Sequence, residues 1–410
     1  MRILIANQHR NLVGGVEKYL QAVIPALANR NHQIAVLFET RFDPAQESID
    51  PADLGLAVSS VAEVGVDAAL RFAADWKPDV VYSHGLQAAN LQNALLNAGP
   101  NVLYAHNYYG TCATGQKCHS FPVAVPCDRS FGPACLLLHY PRRCGGLHPG
   151  TMWRMYQSAA EMNRQLPLYQ AVLVASRHMH REFLKHGVND VHLLPLPNPL
   201  EAAPAQTGAG KSPRDRILFL GRLTKLKGVG HLLQAIPLAS RKLGRPLAVT
   251  IAGDGPERAN LQSLAQKLGV AAEFPGWIHT SQKPELIADA DLLAVPSLWP
   301  EPFGLVGIEA GAYGVPAVAY EVGGIPDWLI PGLSGELAPG DPPTVEGLAD
   351  AMGRALGQPD HYSELCRGAL QVASRFTLDA HLVKLEEILS AAVCGRPEKI
   401  FASTAEGIHV

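Results

Sequence analysis

Two doubly wound α/β domains facing each other across a cleft are the fold this sequence predicts, and three observations carry that prediction. The chain has 410 residues, more than a single hydrophobic core usually holds. Short apolar runs ending in polar residues alternate with helical stretches along its length. The alternation breaks once, near 199–215, and then restarts.

Each element can be justified in order. RILIAN is a continuous apolar run, followed by the glycine-bearing loop NLVGG and the helical stretch VEKYLQAVIPALANR. HQIAVLFE, PDVVYSH, NVLYAHN and AVLVAS repeat the apolar run; strands buried on both faces of a parallel sheet read this way. The segment PLEAAPAQTGAGKSPRDR is rich in Ala, Pro and Gly and reads as a linker. Beyond it come RILFLGR, a helix through HLLQAIPLASRKLG, then LAVTIAGDG, AAEFPGW, ADLLAVPS and VPAVAYE. The expected domains are 1–198, with a Cys-rich insert at 107–148, and 199–375. Residues 376–410 supply a closing helix and tail that pack back on the first domain. Ligands of such sheets bind beyond the carboxyl ends of the strands, so the loops there matter most.

Composition narrows the function. A chain that is 47% hydrophobic and 17% charged is globular. Its net charge of −3 offers no electrostatic footprint for nucleic acid. No run approaches the roughly 20 apolar residues of a membrane span. The apolar patch in MRILIANQHR reads as a first strand rather than a signal-peptide core, so the expected location is the cytoplasm.

The most informative stretch is EPFGLVGIE, between the strand ADLLAVPS and an expected helix over FGLVGIEAGAYG. If helical geometry runs through it, Glu301 and Glu309 are up to roughly 12 Å apart. Glycosidase carboxylates stand about 5 to 9.5 Å apart, so the pair suits an elongated ligand held at two points better than hydrolysis. A nucleotide-diphospho-sugar fits, with the sugar near Glu301, phosphates at the helix start and ribose near Glu309. The bland reading makes Glu301 a helix cap and Glu309 a solvated carboxylate. GRLTKLKG, after the strand RILFL, adds Arg222, Lys225 and Lys227 where fixed cations can neutralise a diphosphate. Gly14-Gly15 and Gly253-Asp254-Gly255 do not complete G-x-G-x-x-G after a strand, which argues against a dehydrogenase.

Together these residues resemble a family. EPFGLVGIE matches the Glu, seven residues, Glu signature of the retaining GT-B glycosyltransferases of family 4 (group 1). GRLTKLKG, IAGDGPER and EVGGIPDWLIPGLSGEL resemble its neighbouring segments. GGVEKY is similar to its N-terminal glycine loop, and FTLDAHLVKLEEIL to its closing helix. The resemblance implies the GT-B fold and sugar transfer from a nucleotide-diphosphate donor to a lipid, glycan or small-metabolite acceptor, with retention. Arg222 and Lys227 would hold the diphosphate and stabilise the leaving nucleotide. Glu301, with the N–H groups of Phe303, Gly304 and Leu305, would position the sugar, and Glu309 would bind the ribose. Gly15 would let the first domain's loop approach the diphosphate, and His106 would lie at the sugar. No divalent metal is required, and UDP or GDP sugars are the leading donors. The alternatives are a non-catalytic or an epimerase-type GT-B protein. The first tends to lose one of the four anchors, and all four are present.

The insert departs from the family pattern. Five of the seven cysteines, Cys112, Cys118, Cys127, Cys135 and Cys144, fall within it, beside His119. Structural zinc or an iron–sulfur cluster on Cys112, Cys127, Cys135 and Cys144 is one reading. Disulfides and free thiols are the others. Cys366 and Cys394 read as helix packing residues. The insert is expected on the acceptor side of the cleft. Arg177, His180, Arg181 and Lys185 on one helix, with Arg142, Arg143 and Arg154, keep peripheral membrane contact open against a plain solvated face. Oligomeric state is not written in the sequence.

Overall fold

The structure is a computed structural model that describes residues 1–49, 55–199 and 215–395. Most of the expected linker (200–214) and the C-terminal tail (396–410) lie outside the described residues.

Two parallel sheets organise the chain. The first has seven strands in the spatial order Ala57–Ser60, Gln33–Phe38, Arg2–Asn7, Val80–His84, Asn101–Ala105, Ala171–Val174 and Val191–Leu193. The second has six, in the order Ala271–Gly276, Ala248–Ala252, Arg216–Leu220, Leu292–Val295, Ala317–Tyr320 and Gly335–Ala338. In both, the first strand in sequence is central and the order reverses beside it, which opens a crevice at the carboxyl ends. The buried runs explain the strands: residues 3–7 and 34–38 have no exposed member, as strands covered by helices on both faces require. AAEFPG carries Pro275 and sits at the sheet edge, where a missing N–H costs no ladder bond.

The closing helix (Leu378–Cys394) packs against the first helix (Gly15–Asn29) and the strands Val80–His84 and Asn101–Ala105. His381 fixes it: Nε2 meets the Tyr19 hydroxyl at 2.8 Å and Nδ1 meets the Pro195 carbonyl at 2.9 Å. Glu386 adds contacts of 2.8 Å to both Arg30 and His32. A second tie between the halves joins Arg177 to Asp327, whose carboxylate accepts the Arg177 backbone N–H at 2.6 Å and also the side-chain Nε–H.

The insert contains a two-stranded ribbon (Cys118–His119 with Val125–Pro126) and a short helix (Ala134–Leu138) before the long helix Pro149–Gln165. It leans on the second sheet's loops: the Cys118 thiol donates to the Leu298 carbonyl at 3.8 Å, and Trp299 packs against the cluster holding Tyr108 and Leu166.

Two expectations are corrected. The helix after EPF spans only Leu305–Gly311, starting past Pro302 and at Gly304, whose φ of +92° is not helical. Glu301 stands in the loop before the helix, as expected, but Glu309 is one turn into it rather than about two, and helix rise does not govern their spacing. Cys394 is exposed at its helix end rather than packed, whereas Cys366 is buried.

Candidate active site

Glu301 stands on the loop after the strand Leu292–Val295 and is 5% exposed. A carboxylate this deep needs partners, and three donors converge on Oε1. Lys227 Nζ lies 2.6 Å away, the indole N–H of Trp299 donates at 3.0 Å, and the Ser297 hydroxyl donates too. The Lys227 ammonium also lies 5.5 Å from the Trp299 ring centroid. Ser297 and Trp299 were missed from sequence, although both stand in the quoted loop within four residues of Glu301.

Two glycines permit this convergence. Gly228 has φ +69°, and a Cβ there would lie 1.8 Å from the Pro296 carbonyl oxygen, so the turn carrying Lys227 sits directly on the Glu301 loop. Gly323 has φ +58°, and a Cβ would come within 2.3 Å of the Glu301 carbonyl. That carbonyl accepts the Gly324 N–H at 2.7 Å. The EVGG segment is thus a backbone brace for Glu301.

Arg222 is exposed at the end of the strand Arg216–Leu220, and its guanidinium has no partner among the described residues. The N–H groups of Phe303, Gly304 and Leu305 likewise have no acceptor among the described residues. Glu309 is 2% exposed and its Oε2 is paired with Lys283, a residue the sequence reading passed over because it lies 26 positions away. Across the cleft, Gly15 opens the first helix, and a Cβ placed on it would lie 3.9 Å from the Leu305 side chain. The structure therefore brings Lys227 to Glu301, and Gly15 to Leu305.

His106 belongs to a different cluster. Its Nε2 is 2.9 Å from His84 Nδ1, and its ring stacks on Tyr104 with centroids 4.5 Å apart. Tyr19, Tyr82 and His381 complete the group, with the Tyr19 and Tyr82 hydroxyls 2.7 Å apart. Burial, then His381, lowers His106 to about 3, and burial lowers His381 to about 4. Burial also holds His84 well below the usual histidine range. The imidazoles are neutral at pH 7. His84 Nε2 is buried without a hydrogen-bond partner among the described residues. His106 and His84 line a small cavity of about 70 Å³ with Asn7, Glu17 and Tyr109. A groove of about 280 Å³ lies beside it, between the helices Ala89–Ala98 and Pro149–Gln165, and shares Gln87, Tyr109 and Met162 with it.

The insert does not supply the expected metal tetrad. Among the described residues no three His, Cys, Asp or Glu side chains converge as ligands of one ion, and Cys112, Cys127, Cys135 and Cys144 are free thiols. Cys144 Sγ approaches His119 Nδ1 at 3.5 Å. Burial, then neighbouring thiols, pushes Cys118 up to about 12 and Cys144 up to about 11. The basic helix is also partly spent: Arg177 holds Asp327, and Lys185 holds the Asp128 carbonyl. Among the described residues no helix is long and apolar enough to cross a membrane.

Cationic loops beside buried carboxylates, beyond the carboxyl ends of parallel strands, define the class: a two-sheet α/β protein with a charged cleft where such folds bind ligands. Comparison with known proteins makes this specific. Residues 13–201 match the family model described as Glycosyltransferase Family 4, and residues 205–371 match Glycosyl transferases group 1. The chain is 36% identical over 179 residues to D-inositol 3-phosphate glycosyltransferase of Corynebacterium urealyticum, covering 42% of this chain and 41% of that one. It is 27% identical over 410 residues to glycogen synthase of Mycobacterium tuberculosis, covering 90% of each. The fold matches Anabaena HepE, solved with UDP and glucose, at a TM-score of 0.68 and 19% identity over 95% of this chain and 100% of that one. The chain belongs to the group 1 glycosyltransferases of family 4 and has the GT-B fold.

Proposed function

We propose that this glycosyltransferase moves a hexose-type sugar from a nucleoside-diphosphate sugar to an acceptor, with retention at the anomeric carbon. The observation carrying this reading is the Lys227–Glu301 pair at 2.6 Å, with Arg222 five residues before Lys227 and without a partner among the described residues. On this reading Lys227 would serve the leaving diphosphate and Glu301 the sugar, side by side on one brace. A relative solved with UDP and glucose supports the donor class.

Breaking the bond between the anomeric carbon and the diphosphate oxygen leaves positive charge on the sugar and sends the electron pair to the phosphate, while the acceptor hydroxyl oxygen bonds to that carbon and gives its proton to the leaving phosphate oxygen. Arg222 and Lys227 would stabilise that developing negative charge. The Phe303, Gly304 and Leu305 N–H groups, with Glu301, would fix the sugar's hydroxyls. Glu309 would accept from the ribose through Oε1, since Lys283 occupies Oε2. His106, neutral at pH 7, would orient a sugar hydroxyl without opposing positive charge on the ring. The cations present supply the neutralisation that a divalent metal would otherwise give. Residues 1–198 would take the acceptor and 199–375 the donor. The groove next to His106 suits a glycan, lipid or small metabolite.

The test is to incubate the protein with UDP-, GDP-, ADP- and dTDP-sugars and inositol phosphate or glucan acceptors. One donor should release its nucleoside diphosphate and give a product with the donor's anomeric configuration by NMR. An inverted product would remove the retaining assignment. No transfer from any donor, by protein that binds a nucleoside diphosphate, would favour a non-catalytic binding protein.

A further inference from the structure

The first helix turns one face toward the second sheet's loops. Gly15 and Lys18 are three residues apart and share that face. Gly15 looks at Leu305, which lies four residues before Glu309 on its own helix and shares a face with it. Lys18, one turn along that face, lies within electrostatic reach of Lys283, Glu309 and Glu47. It is half-buried, and its ammonium has neither a hydrogen-bond acceptor nor an ion-pair partner among the described residues. An ammonium in that position loses water without gaining a counter-charge. Glu309 does not serve, because Lys283 already holds it. Glu47, the other carboxylate nearby, lies 3.3 Å from His279 at the rim. Burial and then the charge of Lys283 lower the Lys18 pKa, and the opposing pull of Glu309 and Glu47 does not cancel them. Lys18 and Lys283 thus share this end of the cleft with Glu309 and Glu47, and the Lys18 ammonium is the charge left without a direct partner among the described residues.

We propose that Lys18 is a donor-binding residue supplied by the N-terminal sheet, its ammonium taking an oxygen of the nucleotide's diphosphate. The inference rests on the donor reading above and extends it, since it adds a cation from the opposite side of the cleft to Arg222 and Lys227. Diphosphate binding would then draw the two halves together at Lys18, and a nucleoside without phosphates would not.

Lys18→Met keeps the side-chain stem and removes the charge. It relieves an unpaired ammonium, so the ligand-free variant should melt at or above the wild-type temperature. The binding probe is whichever of UDP, GDP, ADP and dTDP shifts wild-type melting most, with its parent nucleoside, both titrated calorimetrically. Lys18→Met should weaken the diphosphate about tenfold and the nucleoside less than twofold, and Lys18→Arg should recover most of the loss. Undiminished diphosphate binding by Lys18→Met overturns the proposal while leaving the donor reading intact. Equal losses for diphosphate and nucleoside also overturn it, because the lysine would then only shape the ribose pocket. Wild-type protein blind to all four diphosphates overturns this inference and the donor reading together.

Discussion

The two sides of the cleft use polar groups in opposite ways. On the second sheet's side, each buried carboxylate meets a lysine: Glu301 with Lys227, and Glu309 with Lys283. On the first sheet's side, aromatics dominate, with Tyr19, Tyr82, His84, Tyr104, His106 and His381 joined ring to ring and hydroxyl to imidazole, and the buried Glu17 carboxylate meets the Gly14 N–H at 2.9 Å. The difference follows from the work each side is proposed to do. A diphosphate leaving group needs fixed charge on one side. A sugar ring that becomes positive needs a neutral wall on the other, which burial secures by holding His106 near 3.

Removing charge from the second side should have the largest effect. Lys227→Ala is expected to lower kcat/KM about a thousandfold, the scale of losing one transition-state contact worth roughly 3–4 kcal/mol. Initial rates would measure it, with circular dichroism confirming the fold. A loss below tenfold would mean the charged side does not carry the reaction.

Gly228→Ala tests whether that side depends on backbone contact. Its Cβ would strike the Pro296 carbonyl at 1.8 Å from a φ of +69°, and backbone yields less readily than a side chain. The expected cost is about 3 kcal/mol of stability by urea denaturation, with weaker nucleotide binding because Lys227 leaves Glu301. A neutral outcome would show the two loops to be independent.

The neutral side should reveal itself through pH. His381 titrates near 4 when folded and near 6.5 when unfolded, so between those values the unfolded chain binds more protons. Its contribution to stability is present above pH 6.5 and is lost as pH falls toward 4. From pH 7 to pH 5 the loss is about 2 kcal/mol for this histidine, and His106 and His84 add to it in the same direction. Urea midpoints at the two pH values would show it, and His381→Gln should flatten the profile. Stability rising toward pH 5 would contradict the neutral cluster.

The smallest effect concerns the insert. Unfolding in guanidinium without reductant should expose all seven cysteines to a thiol reagent. Fewer titrated thiols would point to a disulfide or a retained metal.

The same contrast explains what could be read in advance. The second side was legible in its charged groups because they sit on contiguous motifs: Lys227 five residues after Arg222, and Glu301 with Glu309 on one loop–helix, although the roles of Ser297 and Trp299 in the same loop were not read. The parallel strands were legible too, since burial on both faces leaves unbroken apolar runs. The first side was not legible beyond His106. Tyr19, His84 and His381 lie up to 362 positions apart, and each alone looks like an ordinary core residue. Lys283 and Lys18 gave no local signal either, because a lysine's meaning depends on which carboxylate or phosphate the fold sets before it. The cysteine count suggested a metal, but ligation depends on convergence at one point, which spacing alone does not reveal.

The most direct test of the account is a thermal-shift panel of UDP, GDP, ADP, dTDP and NAD on wild-type protein and Lys227→Ala. The account predicts that one nucleoside diphosphate, at 100 times its dissociation constant, stabilises the wild type by about 2.7 kcal/mol and the variant far less. A shift with NAD alone, or a diphosphate shift undiminished in Lys227→Ala, would contradict it.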